Sequence, residues 1–275
     1  MSVQVIKADG SVEGFKVYKL KKSLRRAGAT NGQIKEIIDH LESELHDRIK
    51  TQDIYSHAFK LLRDSDQPVA ARYSLRRALF NLGPTGFPFE DFIARLLQKE
   101  GYQTKTRQIL PGRCARHELD IIAYNSNHSF VVEAKFHSQP GVKSDLQVTL
   151  YSYARLLDLK EVKVCKEDFC GVSELWIITN TKFTSTAESY AKCVGLNLLS
   201  WDYPKNNNLH DRIQRANLYP ITVLQSLNNA QKIALIKRNA IICSDLINKP
   251  QLLRHLHLST KKFEAVLFEA RQLCH

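Results

Sequence analysis

The sequence predicts a multi-domain α/β protein, and three observations carry that prediction. Two short apolar runs flank a polar turn at residues 119–135, which is strand and hairpin chemistry in the middle of the chain. Helical spacing of apolar residues dominates both ends, with Ile34, Ile37, Ile38 and Leu41 near the start and Phe263, Val266, Leu267 and Ala270 near the finish. Breaker clusters at Asn81-Leu82-Gly83-Pro84-Thr85-Gly86 and Tyr203-Pro204-Lys205-Asn206-Asn207-Asn208 separate the regions. The expected parts are residues 1–83, 84–204 and 205–275.

Composition narrows the class. With 43% hydrophobic and 25% charged residues among 275, the chain sits near the globular average, which excludes long disorder. The formal net charge of +12 points to an anionic partner, and phosphate neutralisation by Lys and Arg is the commonest such use. No apolar run approaches the ~18 residues of a membrane span. Met1-Ser2-Val3-Gln4-Val5 lacks the layout of a signal peptide, so a cytoplasmic protein with no membrane contact is expected. The six cysteines, Cys114, Cys165, Cys170, Cys193, Cys243 and Cys274, form no C-x-x-C pair, which argues against a zinc ribbon and fits reduced thiols.

The first part opens with Val3–Lys7, the turn Ala8-Asp9-Gly10-Ser11 and Val12–Phe15, and Asp-Gly between such runs signals a hairpin. A basic helix follows with Lys16, Lys19, Lys21, Lys22, Arg25 and Arg26. Further apolar spacing at Ile54, Ala58, Leu61 and Leu62 completes a small bundle under the hairpin. The order of elements resembles the ATP-cone, a nucleotide-binding regulatory module, at Val5, Ile6, Lys7, Asp9, Gly10, Phe15, Lys19, Leu20 and then Ala71-Arg72-Tyr73. The resemblance implies ATP or dATP as an allosteric ligand held by Lys7, Asp9, Gly10 and Lys19. The Arg that often follows the first lysine is Ala8 here.

In the second part, Leu119–Tyr124 and Ser129–Lys135 are strand candidates around Asn125-Ser126-Asn127-His128. A turn centred between Ser126 and Asn127 sets Asp120 opposite Glu133, with Cβ atoms about 5 Å apart. Alternation puts Glu133 and Lys135 on one face, about 6.6 Å apart, and Phe130, Val132 and Ala134 on the other. Paired carboxylate oxygens are what a hard cation such as Mg2+ requires, so Asp120 and Glu133 are the candidate metal ligands. A lysine beside the ion orients water or offsets charge on a phosphate.

Asp120 followed by Glu133-Ala134-Lys135 resembles the D…(D/E)-x-K signature of the PD-(D/E)XK nuclease superfamily. Gly112–Asp120 and Glu133–His137 are similar to its Mrr-type restriction-endonuclease branch, over roughly residues 84–204. The resemblance implies a mixed β-sheet flanked by helices and a Mg2+- or Mn2+-dependent deoxyribonuclease with catalytic Glu90, Asp120, Glu133 and Lys135. Glu90 enters as the glutamate of the preceding helix, whose apolar stripe is Phe89, Phe92, Ile93, Leu96 and Leu97. Trp176–Thr184 resembles a later core strand and its polar loop, and Leu119 replaces the usual proline before the aspartate. Gln147 lies on the next helix, whose apolar side is expected at Leu146, Leu150, Tyr153 and Leu157. His117, His128 and His137 are not at zinc-ligand spacing, and Trp176 and Trp201 are expected in the core.

The third part has a short helix expected at Leu224–Leu227, a second through Lys232–Ile236, a turn at Asn239-Ala240, and helices through Leu252–Leu256 and Phe263–Ala270. This all-α pattern resembles a helix-hairpin-helix DNA-binding domain, which offers helix-start N–H groups to phosphates. Such turns usually carry glycine, and Asn239 is the residue that tolerates the left-handed conformation in its place. The combined expectation is an endonuclease acting on DNA, regulated by nucleotide and open to homo-oligomerisation. The alternatives are a nucleotide-responsive DNA-binding regulator on an inactive nuclease scaffold and a nuclease selective for branched DNA.

Overall fold

The computed structural model describes residues 3–161, 165–166 and 169–274. Four cysteines, Cys114, Cys193, Cys243 and Cys274, are free thiols, and the side chains of Cys165 and Cys170 lie outside the described residues. Among the described residues, no helix is long and apolar enough to cross a membrane.

The chain begins with β1 (Gln4–Ile6) antiparallel to β2 (Val12–Gly14). Asp9 shapes the connecting turn by accepting the Ser11 amide at 3.0 Å, and Gly10 at φ +79° supplies the left-handed residue. There follow α1 (Val17–Arg26), α2 (Asn31–Glu44), β3 (Ile49–Lys50), α3 (Thr51–Ser65), α4 (Gln67–Tyr73) and α5 (Leu75–Phe80). Strand β3 joins the free edge of β1 in parallel. A capping box between Thr30 and Gln33 starts α2, which buries Ile34, Ile37, Ile38 and Leu41 against Leu24, Ile54, Ala58 and Leu62.

The middle region runs α6 (Phe87–Lys99), β4 (Gln103–Pro111), β5 (Arg116–Tyr124), β6 (Ser129–Lys135), β7 (Lys143–Ser144), α7 (Leu146–Lys160), β8 (Cys165–Lys166), β9 (Phe169–Cys170), β10 (Glu174–Thr179), β11 (Lys182–Phe183), α8 (Ser185–Val194) and β12 (Asn197–Leu199). Its main sheet has the order β12-β10-β6-β5-β4. Strands β4, β5 and β6 form an antiparallel meander, while β10 and β12 are parallel to β6, so the sheet is mixed. Helix α6 covers the face that carries Ile121, Ala123, Phe130, Val132 and Ala134. Helices α7 and α8 cover the other, with Ile122, Val131, Leu175 and Ile177.

The last region contains α9 (Leu209–Arg215), a 3-10 turn at Ile221–Val223, α10 (Asn229–Ile236), α11 (Cys243–Asn248), a 3-10 helix at Pro250–Leu256 and α12 (Thr260–Cys274). The helix expected at Leu224–Leu227 is absent. Ile221 donates its amide to Ile241 and Cys243 donates to Tyr219, so the backbone before it is tied into a bridge that turns the chain out of helical geometry. Asn239 adopts φ +59°, as the turn requires. Helix α5 does not end a separate core, since Leu75, Ala78, Leu79 and Leu82 share one cluster with Phe89, Phe92, Ile221 and Val223.

Candidate functional site

Asn125 opens the β5–β6 hairpin, its Oδ1 accepting the amides of Asn127 and His128 at 3.0 and 2.9 Å. This fixes the register Ala123↔Phe130, Ile122↔Val131 and Ile121↔Val132. Beyond Ile121 the ladder stops, and the Asp120 side chain replaces it: Oδ2 accepts the Ala134 amide at 2.7 Å. On the other side, Arg107 breaks the pairing of β4 with β5 at φ +54°. Asp120 therefore stands where the sheet opens.

Glu133 is 4% exposed and its two oxygens meet two cations. Lys135 donates from Nζ at 2.5 Å, and Arg155 of α7 donates from Nη1. Arg155 also reaches the Tyr151 hydroxyl and stacks 4.5 Å over its ring, while its Nε is buried without an acceptor. Glu90, in the first turn of α6, is 8% exposed and takes Arg107 at 3.3 Å, with Asp91 binding the same guanidinium at 2.9 Å. Burial, and then the Glu133 charge, push Asp120 up to about 6. Burial, and then the Asp120 charge, push Glu90 up to about 7, against the pull of Arg107. Burial and mutual repulsion of the carboxylates thus outweigh the pull of Lys135, Arg155 and Arg107.

The apolar side expected for α7 is corrected. Its buried stripe is Thr149, Ser152, Arg155, Leu156 and Leu159, while Leu150 and Leu157 are 45% and 47% exposed. The helix turns its Arg toward the Glu133 carboxylate, and the ion pair outweighs the apolar stripe on the opposite side. Gln147 is exposed. His117 binds Asp158 at 2.7 Å, His128 binds Glu174 at 3.0 Å and His137 meets Ser144 at 3.1 Å. Trp176 and Trp201 pack partly buried against the main core.

In the N-terminal region, Lys7 and Lys19 converge on Glu13 of β2, at 2.7 and 2.8 Å. Lys19, and then Lys7, hold the Glu13 carboxyl down to about 2. Sequence reasoning missed Glu13, although the hairpin register sets it opposite Val5, whose side of the strand Lys7 shares. The hairpin turn also touches the sheet domain: a Cβ built on Gly141 would lie 3.2 Å from the Asp9 Cβ.

Three family models match. Residues 3–80 match the ATP cone domain, residues 84–203 match Restriction endonuclease, and residues 219–274 match AF1548-like, C-terminal. An uncharacterized protein of Archaeoglobus fulgidus is 35% identical over 182 residues, spanning 66% of this chain and 99% of that protein. The chain belongs to the AF1548-like family. A solved structure titled Crystal Structure of Protein of Unknown Function AF1548 is similar at a TM-score of 0.56 and 33% identity, covering 69% of this chain and 98% of that one. This AF1548-like chain is a multi-domain α/β protein in which a nucleotide-binding type of module precedes a restriction-endonuclease-like domain.

The donor set at the opened sheet fits a hard divalent ion, because Asp120, Glu133 and Glu90 offer only oxygen and two of them are held above the usual carboxylate range. Among the described residues, Asp120, Glu133 and Glu90 do not close into a three-ligand cluster, since Glu90 is turned to Arg107 and Glu133 to Lys135 and Arg155. The AF1548-like C-terminal part adds exposed Lys237, Arg238 and Asn239 at the α10–α11 turn. Asn239 borders a cleft of about 300 Å³ with Asp91, Arg95 and Arg107, the last of which also binds Glu90.

Proposed function

We propose that this protein is a DNA endonuclease that hydrolyses phosphodiester bonds with Mg2+ or Mn2+, under control of ATP or dATP bound to its cone. The observation that carries the reading is the meeting of Asp120, Glu133 and Lys135 where β5 and β6 part. Asp120 and Glu133 would hold the ion, which when bound lowers the pKa of its water and offsets phosphate charge. Lys135, 35% exposed, orients the attacking water or donates to a phosphate oxygen. Glu90, pushed up to about 7, is divided between its two protonation states near neutral pH and so can give or take a proton. Arg155 fixes the Glu133 rotamer from behind. Lys237, Arg238 and Asn239 would take DNA phosphates along the cleft.

On the cone, Lys7 and Lys19 would exchange Glu13 for nucleotide phosphates, and Asp9 and Gly10 would shape the turn around them. Contact of Asp9 with Gly141, six residues after Lys135, is the route by which occupancy reaches the nuclease.

Plasmid and labelled-duplex cleavage in Mg2+, with and without ATP, tests the reading on Glu133→Gln and Lys135→Met. Glutamine is preferred to alanine at 133 because its amide oxygen still accepts from buried Arg155. Cutting that needs Mg2+ and is lost in both variants supports the nuclease. Equal cutting by the variants would sink it. A regulator on an inactive scaffold is the second reading, favoured by the pairing of both Glu133 oxygens with cations. It requires sequence-selective DNA binding that ATP or dATP shifts in a gel assay, with no cleavage.

A further inference from the structure

Helices α2 and α3 carry a second constellation that the nuclease and nucleotide readings leave unused. His40 and Glu44 stand four residues apart on α2, so their side chains leave one face a turn apart. His57 of α3 meets both. Its Nε2 lies 3.1 Å from His40 Nδ1, its Nδ1 lies 2.9 Å from a Glu44 oxygen, and the two imidazole rings sit 4.7 Å apart at 53°. One ligand atom from each of the three lies within 4.8 Å of the others.

We propose that His40, Glu44 and His57 bind a divalent transition-metal ion, of which Zn2+ is the natural occupant. Two imidazoles and one carboxylate make a borderline donor set that favours Zn2+, Co2+ or Ni2+ over Mg2+. In a tetrahedral site with Zn–N near 2.0–2.1 Å the ligand nitrogens stand about 3.4 Å apart, close to the separation already present between the two rings. Two facing imidazole nitrogens share a single proton in the absence of metal, and an ion replaces that proton with bonds to both lone pairs. Glu44, 53% exposed, gives up its contact with His57 Nδ1, the ring nitrogen turned away from His40, and swings a carboxylate oxygen to the ion, and solvent fills the outward position.

The site lies against the rigid part of the bundle. Ile37, Ile38 and Leu41 of α2 and Ile54 and Ala58 of α3 are buried beneath it, so the backbones bearing the ligands are held in place. Glu44 is the last residue of α2, and the chain from there runs directly to β3. Asp47 accepts the Gln4 amide at 3.0 Å, and Ile49 and Lys50 pair with Val5 and Ile6, next to Lys7. An ion clamping Glu44 to His57 therefore staples the connection that holds the small sheet.

The test is Co2+ titration of the full chain followed by visible absorption, in an Asp120→Asn background that weakens the oxygen site. One equivalent giving a four-coordinate ligand-field band, displaced by Zn2+ and unaffected by excess Mg2+, is the expected result. His57→Gln and His40→Gln should each weaken affinity at least tenfold, with circular dichroism unchanged because neither side chain belongs to the buried core of the bundle. Should either variant lose its fold, Glu44→Gln provides the same comparison. Absence of the band, or an undiminished one in the variants, overturns the proposal. The readout does not involve cleavage, so it stands or falls apart from the nuclease assignment.

Discussion

Glu133 sits between two cations of unequal exposure, Arg155 at 8% and Lys135 at 35% of the side chain. The buried partner governs stability and the exposed one is free to serve chemistry. Arg155→Met should lower the unfolding free energy by about 3 kcal/mol, because it strands a buried carboxylate with a half-exposed lysine. Urea melts of that variant, of Glu133→Gln and of the double variant check it, and a coupling energy below about 0.5 kcal/mol would show the pair to be independent. Lys135→Met should leave the melt within about 0.5 kcal/mol while cutting the cleavage rate by about a hundredfold or more. Asp120, Glu133 and Lys135 were legible in the sequence because strand alternation and the Asn125 turn set their register without tertiary information. Arg155 was not. Its stripe of Thr149 and Ser152 reads as solvent-facing, and only the position of Glu133 in space makes burial of that guanidinium favourable.

The loop between β6 and β7 comes close to the cone hairpin at Gly141. Gly141 has φ +102°, and a side chain there would press on Asp9 atoms at 3.2–3.3 Å. Gly141→Ala should cost about 1–2 kcal/mol in backbone strain and displace the cone hairpin. Under the proposed coupling, its cleavage should become less responsive to ATP while calorimetry still detects nucleotide binding. An unchanged ATP response would place the coupling elsewhere. At this scale the hairpin at Asp9-Gly10, the helix from Phe89 to Leu97 and the left-handed Asn239 all follow from local chemistry. The segment at Leu224–Leu227 does not, because the bridge of Ile221 to Ile241 takes its backbone out of helix, and that partner lies twenty residues away.

The whole chain is joined by a core that passes from α5 through α6 to the C-terminal helices, and by a polar seam between α1 and α9. Arg26 binds Asp211 at 2.6 Å and Gln214 donates to the Arg26 carbonyl at 2.6 Å. The charge pattern of α1 alone suggests phosphate contacts, so this use of Arg26 could not be read before its partner 185 residues on was placed. His210 is buried in the seam, edge-on to Trp201 at 4.9 Å, with Asp211 beside it and Arg26 facing it. Burial, and then the Arg26 charge, hold His210 below the usual 6.5, and the Asp211 carboxylate only partly offsets them. A histidine that resists protonation when folded binds fewer protons there than in the unfolded chain, so stability rises with pH across its window. The contribution is complete above about 6.5 and is lost as the pH falls from that value through the lower folded one. Glu90 and Asp120, both held high, add an opposite slope that the variant shares, so the effect is read as a difference: between pH 7.5 and 5 the melting temperature of the unmutated protein should fall relative to that of His210→Asn. His137, also held low by burial, adds a slope of the same sign, so His137→Asn in parallel separates the two. A His210→Asn profile identical in slope to the unmutated protein would mean that the seam opens before the histidine takes its proton.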